Sequence, residues 1–275
     1  MKIRYASHPE DVKHLSSRDI YDRFTIRNLF VEHQINTVFS HHDRGVVLGI
    51  VPISPLTLEE EPALRASYFL ERREMGLINI GGDGTVQVDG ETYTLHSKDG
   101  MYIGRGAKQV TFSSLDSTNA AKFYGLSGPA HKSLPTTLIR FHDTMSFDLG
   151  SEEHSNKRVL RRYIHEDGVQ GCSLAMGMTV LSEGSVWNTM PPHVHDRRSE
   201  VYMYFNVADG QRVFHFMGEP NETRHVIIGN EDVVISPSWS IHSGAGTSNY
   251  SFIWGTIGEN VTFSDMDNLN LADLR

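Results

Sequence analysis

Short apolar runs separated by turn-forming residues make up most of the chain from Thr37 onward. The runs are rich in Val, Ile, Tyr, Phe and Thr and are bounded by Gly, Asp and Asn, which is typical of β-strands. The dipeptide Asp89-Gly90 between two such runs predicts a hairpin. The pattern predicts an all-β chain of barrel or jelly-roll type. The predicted strands are Val46–Val51, Gly76–Ile80, Thr85–Val88, Met101–Ile103, Val110–Ser113, Phe123–Leu126, Arg161–Ile164, Cys172–Leu181, Glu200–Phe205, Arg212–Met217, His225–Ile228, Asp232–Ile235 and Tyr250–Ile257.

Helical patterns lie only near the two ends of the chain. A short helix is predicted at Ser17–Phe24, where the apolar residues have helical spacing. The segment Ser264–Leu271 is predicted to form either a capped helix or an extended arm. Helices are therefore expected to be few and short.

The two halves of the chain resemble each other. Tyr68–Leu77 can be laid over His193–Tyr202, and Lys98–Ile103 corresponds to Glu231–Ile235. Between the halves, the segment 125–135 is rich in Gly, Ser and Pro and is typical of a linker. We therefore predict a duplicated barrel with one domain at residues 1–130 and a second at residues 131–275.

Composition narrows the range of functions. The formal net charge of the 275 residues is −9, which argues against nucleic-acid binding because no basic stripe is available for phosphates. Cys172 is the single cysteine, so no intramolecular disulfide framework exists, and a reducing compartment is expected. The N-terminus has no apolar signal core, and no stretch is long enough to span a membrane. A cytoplasmic location and a small-molecule partner are the resulting expectations.

The densest chemistry is a group of metal-ligand residue types in the second half. His193 and His195 are two apart, so on an extended strand their side chains point to the same face. Glu200 follows after a charged turn, and His242 ends a short apolar strand about forty residues later. Three imidazoles and one carboxylate suit Zn, Fe, Mn or Ni, and the spacing leaves the identity of the ion open.

The first half lacks these ligands. In the overlay of the two halves, each ligand has a non-ligand counterpart, and only the second domain is predicted to hold metal. The counterparts are Tyr68, Leu70, Met75 and either Gln109 or Val110.

Further polar residues in the second half are candidates for catalysis. Tyr202 and Tyr204 share a strand face with Glu200, so they are either hydrogen-bond donors in the same cavity or aromatic residues that fill the barrel. No general base can be assigned. Glu200 is the nearest carboxylate but is occupied as a metal ligand, and the remaining options are Glu219, Glu222, Tyr202, Tyr204 and His215.

Three arginines are candidates for binding a substrate carboxylate through the bidentate guanidinium. Arg224, in a polar loop between two strands, is the first choice. Arg158 and Arg162 lie four apart on one predicted strand face and compete for the same role. A solvent-exposed arginine without a function is the alternative for each of them.

Several long strings resemble the 5-keto-4-deoxyuronate isomerases, and the resemblance extends from end to end of the chain. The most specific strings are Tyr68–Glu74, Asn79–Gly82, Trp187–His193, Glu222–His225, Ile235–Gly244 and Asp265–Asp267. The resemblance implies a tandem cupin, also called a double-stranded β-helix, with one zinc ion in the C-terminal cupin. It places the zinc ligands on His193, His195, Glu200 and His242, and it implies a homohexamer.

The resemblance also implies an activity. Members of this family interconvert 5-dehydro-4-deoxy-D-glucuronate and 3-deoxy-D-glycero-2,5-hexodiulosonate in the breakdown of pectin and other uronate polymers. Such an aldose–ketose shift passes through an enediolate that a divalent cation stabilises. Three other functions remain open: a non-catalytic sugar-acid sensor, an iron dioxygenase with the same ligands, and an isomerase of an inositol-pathway acid.

Overall fold

The computed structural model describes residues 1–275 and contains 24 β-strands and only two α-helices. Numbered in chain order, the first twelve strands are β1 Lys2–Arg4, β2 Thr25–Ile26, β3 Gln34–Ser40, β4 Val46–Val51, β5 Leu56–Thr57, β6 Arg73–Asn79, β7 Gly84–Val88, β8 Glu91–Leu95, β9 Gly100–Ile103, β10 Val110–Ser114, β11 Phe123–Pro129 and β12 Thr137–Ile139. The others are β13 Met145–Leu149, β14 Arg158–Ile164, β15 Leu174–Leu181, β16 Trp187–Asn188, β17 His193–Val194, β18 Arg198–Phe205, β19 Val213–Glu219, β20 Glu222–Ile228, β21 Val233–Ser236, β22 Ser243–Gly246, β23 Ser251–Gly258 and β24 Asp267–Asn268. The all-β prediction is confirmed, since every predicted run overlaps an observed strand.

Two short α-helices precede the second strand: α1, Pro9–Val12, and α2, Ser17–Phe24. The second begins where predicted because Ser16 and Asp19 form a capping box. The Ser16 hydroxyl accepts from the Asp19 N–H at 3.2 Å, and the Asp19 carboxylate accepts from the Ser16 N–H at 3.3 Å. Four 3-10 helices complete the helical structure: Pro62–Leu64, Ser117–Asn119, Phe141–Asp143 and Leu271–Asp273. No helix has the length and apolar character that a membrane crossing requires.

The chain forms two compact units, and neither is a contiguous half. The first contains Met1–Ile3, Leu29–Thr144 and Tyr163–Ala175, and the second contains Arg4–Asn28, Met145–Arg162 and Met176–Arg275. The expected boundary after residue 130 therefore lies inside the first unit, and residues 4–28 belong to the second. The cause is packing: α1 and α2 bury apolar side chains in the core of the second unit, and β2 pairs with β21.

Each unit pairs a seven-stranded sheet with a four-stranded sheet. The orders are β1-β3-β4-β11-β6-β9-β12 and β5-β10-β7-β8 in the first unit, and β13-β14-β15-β23-β18-β21-β2 and β16-β22-β19-β20 in the second. The orders correspond strand for strand, since β6 lies between β11 and β9 as β18 lies between β23 and β21. The chain therefore contains two copies of one antiparallel jelly-roll architecture.

Two turn predictions had opposite outcomes. The hairpin at Asp89-Gly90 is confirmed, because β7 and β8 pair across it and both residues have positive φ, 48° and 94°. The linker at 125–135 is wrong over its first part, because β11 continues to Pro129 as a central strand between β4 and β6. Gly125 is there for packing, since a Cβ added to it would lie 3.1 Å from the Leu77 side chain.

Candidate metal centre

The second unit brings the four predicted ligands together. His193 lies in β17, His195 in the turn that follows, Glu200 is the third residue of β18, and His242 immediately precedes β22. Their ligand atoms all lie within 4.8 Å of one another. His195, Glu200 and His242 are buried, and His193 is half-buried. The cluster can bind a metal ion, and these four residues remain proposed ligands.

The donor atoms form a closed ring. The Nε2 atom of His193 is 3.1 Å from Nε2 of His195 and 3.0 Å from Nε2 of His242. The Oε2 atom of Glu200 is 2.9 Å and 3.1 Å from the same two nitrogens of His195 and His242. With metal–ligand distances of about 2.0–2.1 Å, ligand atoms in a tetrahedral site are about 3.3–3.4 Å apart, and neighbours in an octahedral site about 2.9 Å. The 2.9–3.1 Å spacing of neighbouring atoms in the ring is therefore compatible with four ligands to one divalent ion.

The protonation states of His193 and Glu200 favour metal binding. Burial, followed by the neighbouring His242 and His195 imidazoles, lowers the pKa of His193 to about 2, so its lone pair is free at neutral pH. Burial alone raises the pKa of Glu200, but the His242 and His195 imidazoles outweigh it and hold that pKa well below its ordinary value. A neutral imidazole and an ionised carboxylate are the forms that coordinate divalent cations.

Backbone carbonyls orient two of the histidines. The Nδ1 atom of His195 donates to the carbonyl oxygen of Asp265 at 2.6 Å, and Nδ1 of His242 donates to that of Ser240 at 3.4 Å. A donor role for Nδ1 places the lone pair on Nε2, the atom that faces the ring. Asp265 therefore belongs to the site, although its spacing from the ligands gave no signal in the sequence.

The two tyrosines lie at different depths. The Tyr202 ring is 5.6 Å from the His242 ring between centroids, and its hydroxyl is 3.1 Å from Oγ1 of Thr189. The Tyr204 hydroxyl is 2.7 Å from Nδ1 of His215. Burial raises the pKa of both tyrosines well above the ordinary value, so both hydroxyls stay protonated at neutral pH. Both also pack in the core of the second unit, which confirms that they fill the barrel, and their role as hydrogen-bond donors to a substrate stays a prediction.

The acidic candidates at the β19–β20 hairpin are not among the converging atoms. Glu219 lies at the end of β19, and its carboxylate is 3.3 Å from the ammonium of Lys13. Glu222 faces it across the hairpin and is exposed. Their roles as catalytic groups stay predictions.

The three arginines differ in what occupies their guanidinium groups. Arg224 donates to the carbonyl oxygens at the end of α1, on Val12, Lys13 and Leu15, at 2.7–3.3 Å. Its first-choice role as a substrate clamp is thus in competition with a structural role, the capping of a helix C-terminus.

Arg162 and Arg158 share a face of β14, as predicted, but have different surroundings. The guanidinium of Arg162 stacks on the Phe263 ring at 3.6 Å and lies 4.7 Å from the Phe147 ring centre. The guanidinium of Arg158 donates to the Asn156 carbonyl oxygen at 2.8 Å and has no acidic partner. Burial lowers the pKa of Arg158, and it interacts electrostatically with Tyr202 and Tyr250.

Two buried polar residues near the ligands, Thr256 and Trp254, were not predicted, and each has an unpaired polar atom, as the predicted candidate His215 does. On β23, Thr256 lies directly across from Glu200, and Trp254 lies across from Tyr202. The Thr256 hydroxyl, the Trp254 Nε1 and the His215 Nε2 are buried without a hydrogen-bond partner in the protein. Unpaired buried groups are uncommon in cores and are typical of functional sites. The alternation of residues along the predicted strand Tyr250–Ile257 indicates which side chains share a face of the sheet. It does not indicate that the polar atoms of Trp254 and Thr256 lack hydrogen-bond partners.

Several solved structures superpose on most of the chain. An IolB-like protein from Salmonella typhimurium LT2 has a TM-score of 0.64 at 17% identity and covers 79% of this chain and 84% of its own. An oxalate decarboxylase has a TM-score of 0.55 at 11% identity, with 82% of this chain and 70% of its own covered. Tomato vicilin has a TM-score of 0.52 at 11% identity, with 79% and 75% covered. The tandem cupin-like fold is therefore confirmed.

Sequence relatives match over their whole length. The chain is 55% identical over 276 residues to the 4-deoxy-L-threo-5-hexosulose-uronate ketol-isomerase of Lachnoclostridium phytofermentans, and 50% identical over 276 residues to the enzyme of that name from Halalkalibacterium halodurans, with 100% of both chains covered in each case. The resemblance of the sequence to these isomerases is confirmed. The KduI/IolB family model matches residues 24–271, and the chain belongs to this family.

Proposed function

We propose that this protein is a ketol-isomerase that interconverts 5-dehydro-4-deoxy-D-glucuronate and 3-deoxy-D-glycero-2,5-hexodiulosonate during the breakdown of uronate polymers such as pectin. The observation that carries the proposal is the full-length identity of 50–55% to relatives that bear the ketol-isomerase name. The chemistry of the ring of three imidazoles and one carboxylate agrees with it.

Zinc is the proposed resident ion, held by His193, His195, Glu200 and His242. When bound, a divalent cation supplies Lewis-acid polarisation of a carbonyl and stabilises negative charge on oxygen, which is the costly part of an aldose–ketose shift. The same donor set also accepts Fe, Mn and Ni, so metal analysis of the purified protein decides the identity.

The isomerisation itself is a proton relocation. The hydroxyl-bearing carbon gives up its proton, the adjacent aldehyde carbon gains one, and a hydroxyl proton moves between the two oxygens. No oxidant or reductant is consumed. The protein must therefore position the substrate, hold hydrogen bonds to both oxygens and return the carbon-bound proton.

Tyr202 is the proposed hydrogen-bond donor to the reacting oxygens. Its ring lies beside His242, and its protonated hydroxyl is 3.1 Å from Oγ1 of Thr189, whereas the Tyr204 hydroxyl is paired with His215 at 2.7 Å. Tyr202→Phe is expected to lower kcat about 10²-fold, the usual loss for one donor to a developing oxyanion. A kcat for this variant within twofold of the parent value would remove the hydroxyl from the reaction.

Arg158 is the proposed anchor for the substrate carboxylate, in preference to Arg224 and Arg162. It is half-buried, has no acidic partner and donates only to the Asn156 carbonyl oxygen, whereas Arg224 donates to the end of α1 and Arg162 stacks on Phe263. Arg158→Ala should raise KM about 10- to 100-fold, with a smaller effect on kcat. Arg224→Ala is the comparison variant, expected to lower stability more than it raises KM.

The decisive test follows the isomerisation by ultraviolet absorbance with metal-free and Zn²⁺-loaded protein. Turnover that requires the ion is expected. Tight binding of the sugar acid without turnover would instead indicate a sensor, and oxygen uptake with Fe²⁺ would indicate a dioxygenase. Faster turnover of an inositol-pathway acid in parallel assays would shift the substrate to the related isomerase.

A homohexamer is also proposed, and it rests on the resemblance to the isomerase family alone. Light scattering after size-exclusion chromatography gives the mass directly. A monomer at micromolar concentration contradicts this part of the proposal.

A further inference from the structure

We propose that residues Asn260–Leu269, the C-terminal arm, form part of the metal centre and determine how long the ion is retained. The inference rests on the proposed function only in requiring that the four-ligand cluster binds a metal. The arm follows β23 and contains β24. It reaches two of the four ligands from a distance of about seventy positions along the chain, since the separation between His195 and Asp265 is 70.

The first connection is to His195. Its Nδ1 donates to the Asp265 carbonyl oxygen at 2.6 Å, and that carbonyl is fixed by the side chain of the same residue. One carboxylate oxygen of Asp265 accepts from Nε and Nη2 of Arg197 at 2.8 and 2.5 Å, and the other accepts from Nδ2 of Asn260 at 2.6 Å. The bond to Arg197 is the largest cause that lowers the pKa of Asp265 to about 2.

The second connection is to His193. The two-residue strand β17 pairs with β24, with His193 opposite Asn268 and Val194 opposite Asp267. The Leu269 N–H donates to the Pro192 carbonyl oxygen at 3.1 Å, immediately before the first ligand. Because β17 forms its sheet with β24 alone, the arm supplies the backbone pairing of this ligand segment.

Two adjacent arginines join the ligand segment to the arm. Arg197 also donates to the Asp267 carboxylate at 2.7 Å, and Arg198 donates to the carbonyl oxygens of Thr262 and Asp265 at 2.7 and 3.2 Å. The segment that contains His193 and His195 is thus bonded to the arm before, within and after the two ligands. Groups that orient metal ligands typically contribute 10- to 100-fold to metal affinity or activity.

Asp265 is a positioning residue, because it acts on the ion through His195. Asp265→Asn conserves volume, removes the charge that holds Arg197 and leaves the backbone carbonyl in place. The probe is Co²⁺, whose visible bands report coordination geometry. We expect Co²⁺ release to a chelator to be 10- to 100-fold faster than from the parent protein, with altered visible bands.

Asp22→Asn is the matched control, because Asp22 pairs with Arg18 at 4.0 Å on the exposed surface of α2, and it should release Co²⁺ at the parental rate. Unchanged release and unchanged bands in Asp265→Asn would overturn the role of the arm. If this variant does not fold, Arg197→Lys, which keeps the charge but loses the two-nitrogen contact, must release Co²⁺ faster than the parent protein, and parental release refutes the inference. A parent protein that binds no Co²⁺ refutes the metal centre and the arm together, so the two failures are distinguishable.

Discussion

The two jelly rolls differ at an equivalent position, where the first has an apolar core residue and the second has a carboxylate. Arg73 begins β6 and Arg198 begins β18, so Met75 and Glu200 are both the third residues of corresponding strands. Met75 is fully buried in an apolar cluster with Leu70, whereas Glu200 is 6% exposed and faces imidazoles. The comparison teaches that the architecture does not depend on the metal: one copy fills this space with hydrocarbon, and the other keeps it polar for a ligand set.

Each unit also contains a buried glutamate in the corresponding strand, Glu74 in β6 and Glu200 in β18, but the two carboxylates have different partners. Glu74 is adjacent to Met75 and accepts from the Tyr102 hydroxyl at 2.6 Å. It also accepts from three backbone N–H groups at 2.7–2.9 Å, on Cys172, Ser173 and Leu174. Donors from the protein surround this carboxylate, whereas Glu200 faces the ring nitrogens of the candidate metal ligands His195 and His242. The first carboxylate is satisfied by the protein itself, and the second is a proposed metal ligand.

The largest expected effect is that of replacing His242, the last of the four proposed ligands, compared with replacing its counterpart in the first unit. His242→Ala should lose the metal and reduce turnover roughly 10³-fold, since the cation contributes several kcal/mol to the reaction. Gln109→Ala, at the equivalent position before β10, should leave both unchanged. Metal content by elemental analysis and kcat measured in parallel check this pair. Full metal content in His242→Ala would show that the four-ligand assignment is wrong.

Reciprocal substitutions in β6 and β18 sharpen the comparison. Met75→Glu should lower the free energy of unfolding by about 3–5 kcal/mol, because an unpaired carboxylate is placed in an apolar core. Glu200→Met should abolish metal binding and leave the stability of the metal-free protein equal or higher. Urea unfolding of both metal-free variants measures the difference. Equal destabilisation by the two changes would contradict the comparison.

Substitution of Glu74 tests whether this buried carboxylate stabilises the first unit. Glu74→Gln should lower the free energy of unfolding by about 2–3 kcal/mol, since an amide cannot accept all the bonds that the carboxylate accepts. Co²⁺ affinity should not change, because Glu74 lies in the other unit. Glu59→Gln is the control, at an exposed position. A loss of affinity in Glu74→Gln would show that the two units are coupled.

The smallest expected effect concerns the hairpin turns. The first unit turns between β7 and β8 through Asp89-Gly90, and the second turns between β19 and β20 through Pro220-Asn221. Gly90 has φ of 94° and no atom within reach of an added Cβ, so Gly90→Ala should cost about 1 kcal/mol from backbone strain alone. Thermal unfolding measures this change. Turnover should remain at the parental value.

Local patterns were sufficient for the strands, the helix at Ser17–Phe24 and the convergence of the four ligand types. They were sufficient because strand periodicity and the capping residues act within a few positions. The register between the halves also agrees with the structure, since Gln109 and His242 both directly precede equivalent strands.

Long-range pairing was not predictable in the same way. Nothing local assigns Arg4–Asn28 to the second unit, because the partners of α1 and α2 lie far along the chain. The bond from His195 to Asp265 involves a backbone carbonyl, which has no sequence signature. The polar residues around Arg224 predict a loop, and this is wrong, because Arg224 lies in β20. The helix end that occupies its guanidinium has no local signature in the sequence.

The location of the N-terminal helices has a consequence for biosynthesis. Val12 leaves the ribosome early, yet its carbonyl accepts from Arg224, which lies 212 positions later. At roughly 5–20 residues per second, the apolar faces of α1 and α2 wait about 10–40 s for their partners. The first unit needs no residue beyond Ala175 and is complete sooner. The second unit, which contains the candidate ligands, thus closes after the first, and the speed of translation sets how long its helices α1 and α2 stay uncovered.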